Sequence, residues 1–147
     1  MNMGLFYFLA LLAGAATTIQ TGINAQLRIA WAKSSILAAF VSFSVGALCL
    51  LFYLLATRAP LPPLPAKIIP WHWIGGLFGA FFISATIYVA PRLGATTMIG
   101  LVLAGQLGVS LILDHFGLIG YAQKSITWQR ILGAALVGGG AFLIRRF

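Results

Sequence analysis

Polar side chains recur on one face of an apolar segment near the start of the chain. Thr17, Gln20, Thr21 and Asn24 are spaced three and four residues apart, so a helix would carry them as one polar stripe. Polar groups inside a membrane helix are costly, and they usually face a bundle interior or a water-filled cavity. The polar stripe is therefore a candidate substrate-binding surface. The alternative is that its hydrogen bonds hold helices together.

Two further segments carry candidate binding residues. Gln106 and Ser110 lie four residues apart in the fourth apolar segment, so they share one side of a helix. Tyr88, in the third segment, has a ring that could stack against a cation, although membrane tyrosines also serve as interfacial anchors. These side chains are candidates for recognising a solute by hydrogen bonds and ring stacking.

Asp114 is the only acid in the chain. If its helix ends near Leu113, the carboxylate lies at the membrane interface and pairs with Lys124 or Arg130. If the helix continues through Ile119, Asp114 lies inside the membrane. Burial would then favour its protonated form and make it a candidate for proton or cation coupling. The sequence leaves both alternatives open.

The residue inventory argues against an enzyme. With one acid and two histidines, the chain has no Ser–His–Asp set, no CxxC pair and no phosphate-cradling loop. We therefore expect neither a catalytic residue nor a metal site nor a cofactor.

The elements that position these residues must be membrane helices. Hydrophobic residues make up 61% of the 147 residues and charged residues 7%, whereas an ordinary globular domain has about 25% charged residues. A soluble domain of this size cannot bury so much apolar surface. The composition predicts an all-α integral membrane protein whose surroundings are the lipid bilayer.

Five segments are long and apolar enough for a helix that crosses the membrane, which takes about 20 residues. They form one five-helix domain over residues 1–147, with spans at about 4–27, 36–56, 71–90, 95–117 and 127–144. Continuous apolar runs favour helices over barrel strands. A polar segment at 28–34, a proline-rich loop at 57–70, a tight turn at 91–94 and a loop at 120–126 separate them.

The net charge of +8 does not indicate nucleic-acid binding, because the bases are scattered singly between apolar runs. Five spans would place four of them (Arg58, Lys67, Lys124, Arg130) on the N-terminal side and five (Arg28, Lys33, Arg92, Arg145, Arg146) on the other. Short cytoplasmic loops normally carry the excess of Lys and Arg, so this near balance hardly specifies an orientation. Either the copies insert both ways and pair as an antiparallel homodimer, or a partner or the N-terminal amine selects one orientation.

The chain resembles the bacterial YdcZ-type family of five-helix half-transporters, placed in the drug/metabolite transporter superfamily. The motifs that carry the resemblance are 20–28 (QTGINAQLR), 90–95 (APRLGA), 104–106 (AGQ), 113–117 (LDHFG) and 130–134 (RILGA). The resemblance covers the whole chain.

The resemblance implies an inner-membrane protein of EamA-like type, with ten helices formed by an antiparallel homodimer, by an oppositely oriented paralogue or by fusion. Small multidrug exporters of the superfamily couple protons through a membrane-embedded Glu on the first helix, whereas this chain has no Glu. Proton-driven export of cations by that mechanism is therefore not expected.

Three hypotheses follow for function. The first is an exporter of a small organic metabolite or drug-like compound that works by alternating access, with the polar stripe lining the pathway. The second is a non-transporting accessory subunit that pairs with an oppositely oriented partner, and the third is a passive channel. For a transporter, the lack of buried charge favours a neutral or zwitterionic substrate.

Overall fold

The computed structural model of the protein describes residues 3–60 and 73–146. This part of the chain is helical and contains no strand. Its five long helices are α1 (Met3–Leu27), α2 (Ser35–Ala56), α3 (Gly75–Leu93), α4 (Ala95–Phe116) and α5 (Trp128–Arg146). The five segments predicted from hydropathy are thus confirmed as helices, although Trp71 and most of the proline-rich loop lie outside the described residues.

Within the part of the chain that the structure describes, four helical segments are long and apolar enough to cross a membrane, namely Met3–Ala32, Ser35–Ala56, Gly75–Leu93 and Ala95–Phe116. Helix α5 is not among them, because Arg130, Arg145 and Arg146 lie within it. The apolar stretch between these arginines, residues 131–144, is about 21 Å long at 1.5 Å per residue. The hydrocarbon core of a bilayer is about 30 Å thick. A fifth crossing therefore stays a prediction.

The first predicted break is shorter than expected. The helix continues beyond Leu27 through a π-helical turn, Arg28–Ala32. It ends at Lys33, which has a left-handed backbone with φ 57°. Ser34 then begins α2 as its N-cap, and its Oγ accepts a hydrogen bond from the Leu37 N–H at 3.4 Å. The basic segment at 28–34 is therefore mostly helix rather than loop.

The predicted four-residue turn at 91–94 is wrong. Helix α3 continues through Pro91 to Leu93, and Gly94 alone, with φ 78°, separates it from α4. Proline lacks the N–H that would bond the carbonyl four residues earlier, but it does not have to end a helix when another donor reaches that carbonyl. The antiparallel packing of α3 against α4 stays a prediction.

The chain divides into two compact units, Met1–Pro91 and Arg92–Phe147. In the first, α2 and α3 meet the π-helical turn around a small buried core. It is built largely from alanines, which let helix backbones approach closely. Its members are Ala32, Ala38, Ala39, Ile83 and Ile87.

In the second unit, α4 packs along α5. Gly100 marks a close approach, since a Cβ at this position would lie 2.5 Å from the Ala141 Cβ and 3.1 Å from its Cα. Glycine is therefore required at position 100 for the two helices to be this close.

Candidate functional site

The polar stripe makes direct contact with α2. The Gln20 Nε2 and Asn24 Nδ2 groups both donate to the Ser42 Oγ, at 3.3 and 3.0 Å. Asn24 is buried with 3% of its surface exposed, and Gln20 and Ser42 are half-buried. A hydroxyl oxygen has two lone pairs, so Ser42 can accept both bonds at once. These contacts hold α1 to α2, as the packing alternative expects.

The two threonines of the polar stripe bond within their own helix. The Thr17 hydroxyl donates to the Gly14 carbonyl at 2.8 Å, and the Thr21 hydroxyl donates to the Thr17 carbonyl at 2.9 Å. Thr21 is buried, whereas Thr17 is exposed. The structure thus confirms that α1 is helical where the spacing requires it, and a substrate-binding role for the four residues stays a prediction.

The candidates on α4 have different surroundings. Gln106 is exposed, and the Ser110 hydroxyl donates to the Leu107 carbonyl of its own helix at 3.0 Å. The Gln106 amide makes no hydrogen bond with the part of the chain that the structure describes. Its proposed contact with substrate is also a prediction.

Asp114 lies in the last turn of α4, which ends at Phe116 rather than continuing through Ile119. Its carboxylate forms an ion pair with the Arg130 Nη2 group. The same guanidinium donates to the Lys124 carbonyl at 2.9 Å, and the Lys124 N–H donates to the Asp114 carbonyl at 2.7 Å. Asp114 thus ties the loop between α4 and α5 to both helices, and the pairing with Arg130 is the one that the first sequence alternative predicts.

Arg28, at the start of the π-helical turn, contacts α3 at the backbone carbonyl four residues before Pro91. Its Nη1 group donates to the Ile87 carbonyl at 3.2 Å. Ile87 is four residues before Pro91, so its carbonyl lacks the usual helical donor. The Arg28 Cζ also lies 5.5 Å from the centre of the Tyr88 ring, within cation–π distance. The ring of Tyr88 therefore stacks against a cation of the protein itself.

Arg28 and Tyr88 border an open cleft of about 520 Å³ in the first unit. Such a volume lies in the range of about 300–1,000 Å³ that is typical of small-molecule sites. The cleft combines basic, hydroxyl and aromatic side chains and has no acid in its lining. Its lining residues are Arg28, Lys33, Ser34, Ser35, Ile36, Phe81, Ser84, Ala85 and Tyr88.

Sequence reasoning identified Tyr88 but missed the rest of this cleft. Arg28 and Lys33 belong to the polar segment 28–34, which the sequence predicts only as a break between the first two spans. A signal for Arg28 was present, because it follows Asn24 by four residues and so extends the polar stripe by one turn. The contact with α3 could not be predicted, since it joins residues 59 positions apart.

Comparison with known proteins places this chain in a family. Residues 5–143 match the model of the family described as "Putative inner membrane exporter, YdcZ". The chain is 31% identical to the inner membrane protein YdcZ of Escherichia coli (strain K12) over an alignment of 149 positions, which covers 99% of this chain and 98% of that protein. No solved structure matches the chain. With its family motifs and its apolar helices, the chain belongs to the YdcZ family of multi-pass inner membrane proteins.

Proposed function

We propose that this protein exports a small organic compound across the inner membrane, by alternating access in an antiparallel pair of five-span copies. The observation that carries the proposal is the cleft of about 520 Å³ bordered by the π-helical turn, the start of α2 and α3. It combines a size suited to a small molecule with helices apolar enough to cross a membrane. The description of the matching family as an exporter supports the direction of transport.

In this proposal the polar stripe and Gln106 line the pathway, because their amides and hydroxyls can replace water around a solute. An odd number of spans makes an antiparallel pair geometrically natural, since a second copy with the opposite orientation repeats the fold in inverted form. Inverted repeats around a site near the bilayer midplane are the recurring plan of secondary transporters. Membership in the drug/metabolite transporter superfamily, with its EamA-like ten-helix arrangement, is part of the same proposal.

Asp114 is the only carboxylate side chain available for proton coupling. Its pairing with Arg130 means that such coupling would require the two side chains to separate during the transport cycle. Export driven by a proton gradient should then depend on Asp114, and Asp114→Asn should remove its dependence on that gradient.

A second candidate is an accessory subunit that assembles with an oppositely oriented partner and does not transport. The bonds from Gln20 and Asn24 to Ser42 favour it, because both amides already act in pairing α1 with α2. Under this alternative the polar stripe serves assembly alone.

The two candidates differ in what cells release. We would compare the medium of cells that overexpress the protein with that of cells lacking it, by untargeted mass spectrometry. The export proposal expects at least one organic compound to be enriched, and it expects Asn24→Leu and Gln106→Leu to abolish this enrichment. Ser42→Ala is the matched control, because it removes the bond to Asn24 without removing the Asn24 amide. Unchanged medium, together with altered complex formation in these variants, would favour the accessory subunit.

A further inference from the structure

The cleft carries a positive charge that no acid of the lining balances. Arg28 and Lys33 both border it, and the chain's single acid, Asp114, is paired with Arg130. Among the residues that the structure describes, Arg28 therefore has no carboxylate partner. Charges in membrane-spanning segments are costly, pair with one another or with backbone carbonyls, and mark functional sites.

Arg28 differs from an ordinary basic residue that flanks a membrane helix. It is half-buried, and its guanidinium contacts α3. The Ile87 carbonyl and the Tyr88 ring both contact its guanidinium, which fixes the position of the group. The hydrogen bond to Ile87 uses one of the five N–H donors of an arginine. The planar group thus retains donors for a bidentate contact with an oxyanion.

Lys33 provides a second cation on the same cleft. Its Nζ donates to the Ile29 carbonyl at 2.7 Å, which leaves further N–H donors on the ammonium group. Its backbone N–H bonds the Arg28 carbonyl at 2.8 Å and closes the π-helical turn. The turn therefore couples the positions of the two basic residues to each other.

The remainder of the lining is suited to an uncharged body. Phe81, Ile36 and Ala85 provide apolar surface, and Ser84 adds a hydroxyl. A ligand that matches the whole cleft has a small apolar or aromatic body and one oxyanion group beside Arg28 and Lys33.

We propose that the cleft recognises a small amphipathic organic anion, with Arg28 and Lys33 binding its carboxylate, and that this anion is the substrate class of the exporter. The inference rests on the proposed function, and it replaces the neutral or zwitterionic substrate that the sequence favoured. An anionic lipid also combines an oxyanion group with an apolar body, so the test must distinguish a dissolved solute from a lipid headgroup.

The test uses the full chain in phosphatidylcholine nanodiscs and three probes with the same ring system, namely 2-naphthoate, 2-naphthamide and 2-naphthylmethylammonium. Binding is measured by equilibrium dialysis. We expect 2-naphthoate to bind at least about tenfold more tightly than the neutral amide, because one charge-assisted hydrogen bond accounts for a difference in affinity of that size. Equal binding of the three probes would overturn the inference.

Variants assign that preference to the cleft. Arg28→Gln should remove the preference for 2-naphthoate, and Arg28→Lys should retain only part of it because the bidentate group is lost. Lys33→Gln is a second, more exposed variant whose folding does not depend on the contact with Ile87, and it should weaken 2-naphthoate binding several-fold. Arg145→Gln, outside the cleft, is the control and should bind as the unaltered protein does. A preference for 2-naphthoate that survives Arg28→Gln and Lys33→Gln would place the anion site elsewhere and overturn the assignment.

Two further arms identify the source of the anion and separate this inference from the proposed function. If phosphatidylglycerol in the nanodisc abolishes 2-naphthoate binding to the unaltered protein, a lipid headgroup occupies the cleft and the solute proposal is wrong. Unchanged 2-naphthoate binding supports a solute. Anion binding in a protein that exports nothing would contradict the transport proposal alone, and export of compounds that include no organic anion would contradict this inference alone.

Discussion

Ser42 is the residue on which the contact between α1 and α2 depends most directly. Its hydroxyl oxygen accepts hydrogen bonds from the amides of Gln20 and Asn24. In a lipid environment an amide that loses its hydrogen-bond partner finds no water to replace it. The single Ser42 hydroxyl therefore keeps two amide side chains hydrogen-bonded.

Replacing this acceptor should destabilise the helix pair. We expect Ser42→Ala to lower the free energy of unfolding by about 1–2 kcal/mol, the scale of interhelical hydrogen bonds in membranes. The measurement is denaturant unfolding of the protein in mixed micelles, followed by circular dichroism. Ser44→Ala is the matched control on the same helix, because the Ser44 hydroxyl donates to the Phe40 carbonyl of its own turn. An equal effect of both substitutions would show that the shared acceptor has no special importance.

The sequence predicts the arrangement of individual side chains only in part. Helical spacing correctly indicates that α1 carries its polar groups on one face, since that depends only on local geometry. It does not reveal that Ser42 is their partner or that Arg28 contacts Ile87, because these contacts depend on how separate helices pack. Pro91 signals in the sequence that the Ile87 carbonyl lacks its helical donor, but which other donor reaches that carbonyl depends on tertiary structure.

At the scale of elements, the packing of α4 on α5 depends on the absence of a side chain. Gly100 lies where a Cβ would come within 2.5 Å of the Ala141 Cβ, and the backbone atom beneath that methyl group is only 3.1 Å away. Neither atom belongs to a flexible side chain, so the helices themselves would have to move apart.

Gly100→Ala should therefore weaken the second unit although alanine is the better helix former. We expect a loss of about 1–3 kcal/mol, which is typical of overpacking, and a lower melting temperature in detergent. Gly105→Ala is the control on the same helix, where an added Cβ has nothing within 4 Å. The control should be neutral or stabilising, and a tolerated Gly100→Ala would mean that α4 and α5 are not packed this closely.

The elements themselves are largely predictable, because long apolar runs dictate helices in a membrane. The errors occur at helix ends. The polar composition of 28–34 suggested a loop, yet a π-helical turn carries Arg28 onto α3. Pro91 suggested a turn, yet the helix continues to Leu93, and Arg28 bonds the carbonyl that proline leaves without its helical donor.

At the scale of the whole molecule, the distribution of basic residues governs orientation. With four on one predicted side and five on the other, the chain lacks the asymmetry that normally fixes topology. An antiparallel homodimer requires both orientations to be populated in one membrane.

Paired reporters fused to the C-terminus, one active only in the cytoplasm and one only outside, test this directly. We expect comparable activity from both. Appending three lysines after Phe147 would raise the count on that side from five to eight, and it should confine the C-terminus to the cytoplasm. A single orientation of the unaltered chain would contradict dual insertion and direct the search to an oppositely oriented partner.

If α5 crosses the membrane as predicted, the arginines within it have a consequence for the bilayer. A crossing helix whose apolar stretch spans about 21 Å is several ångströms shorter than the hydrocarbon layer around it. Such hydrophobic mismatch is relieved by local thinning of the bilayer or by oligomerisation. Lipid deformation around α5 would therefore favour the meeting of two copies, and a thinner bilayer at that point would shorten the path of a polar solute through hydrocarbon. The acyl-chain length of the surrounding lipids would then influence both the assembly of this protein and the passage of a solute, without any change in its sequence.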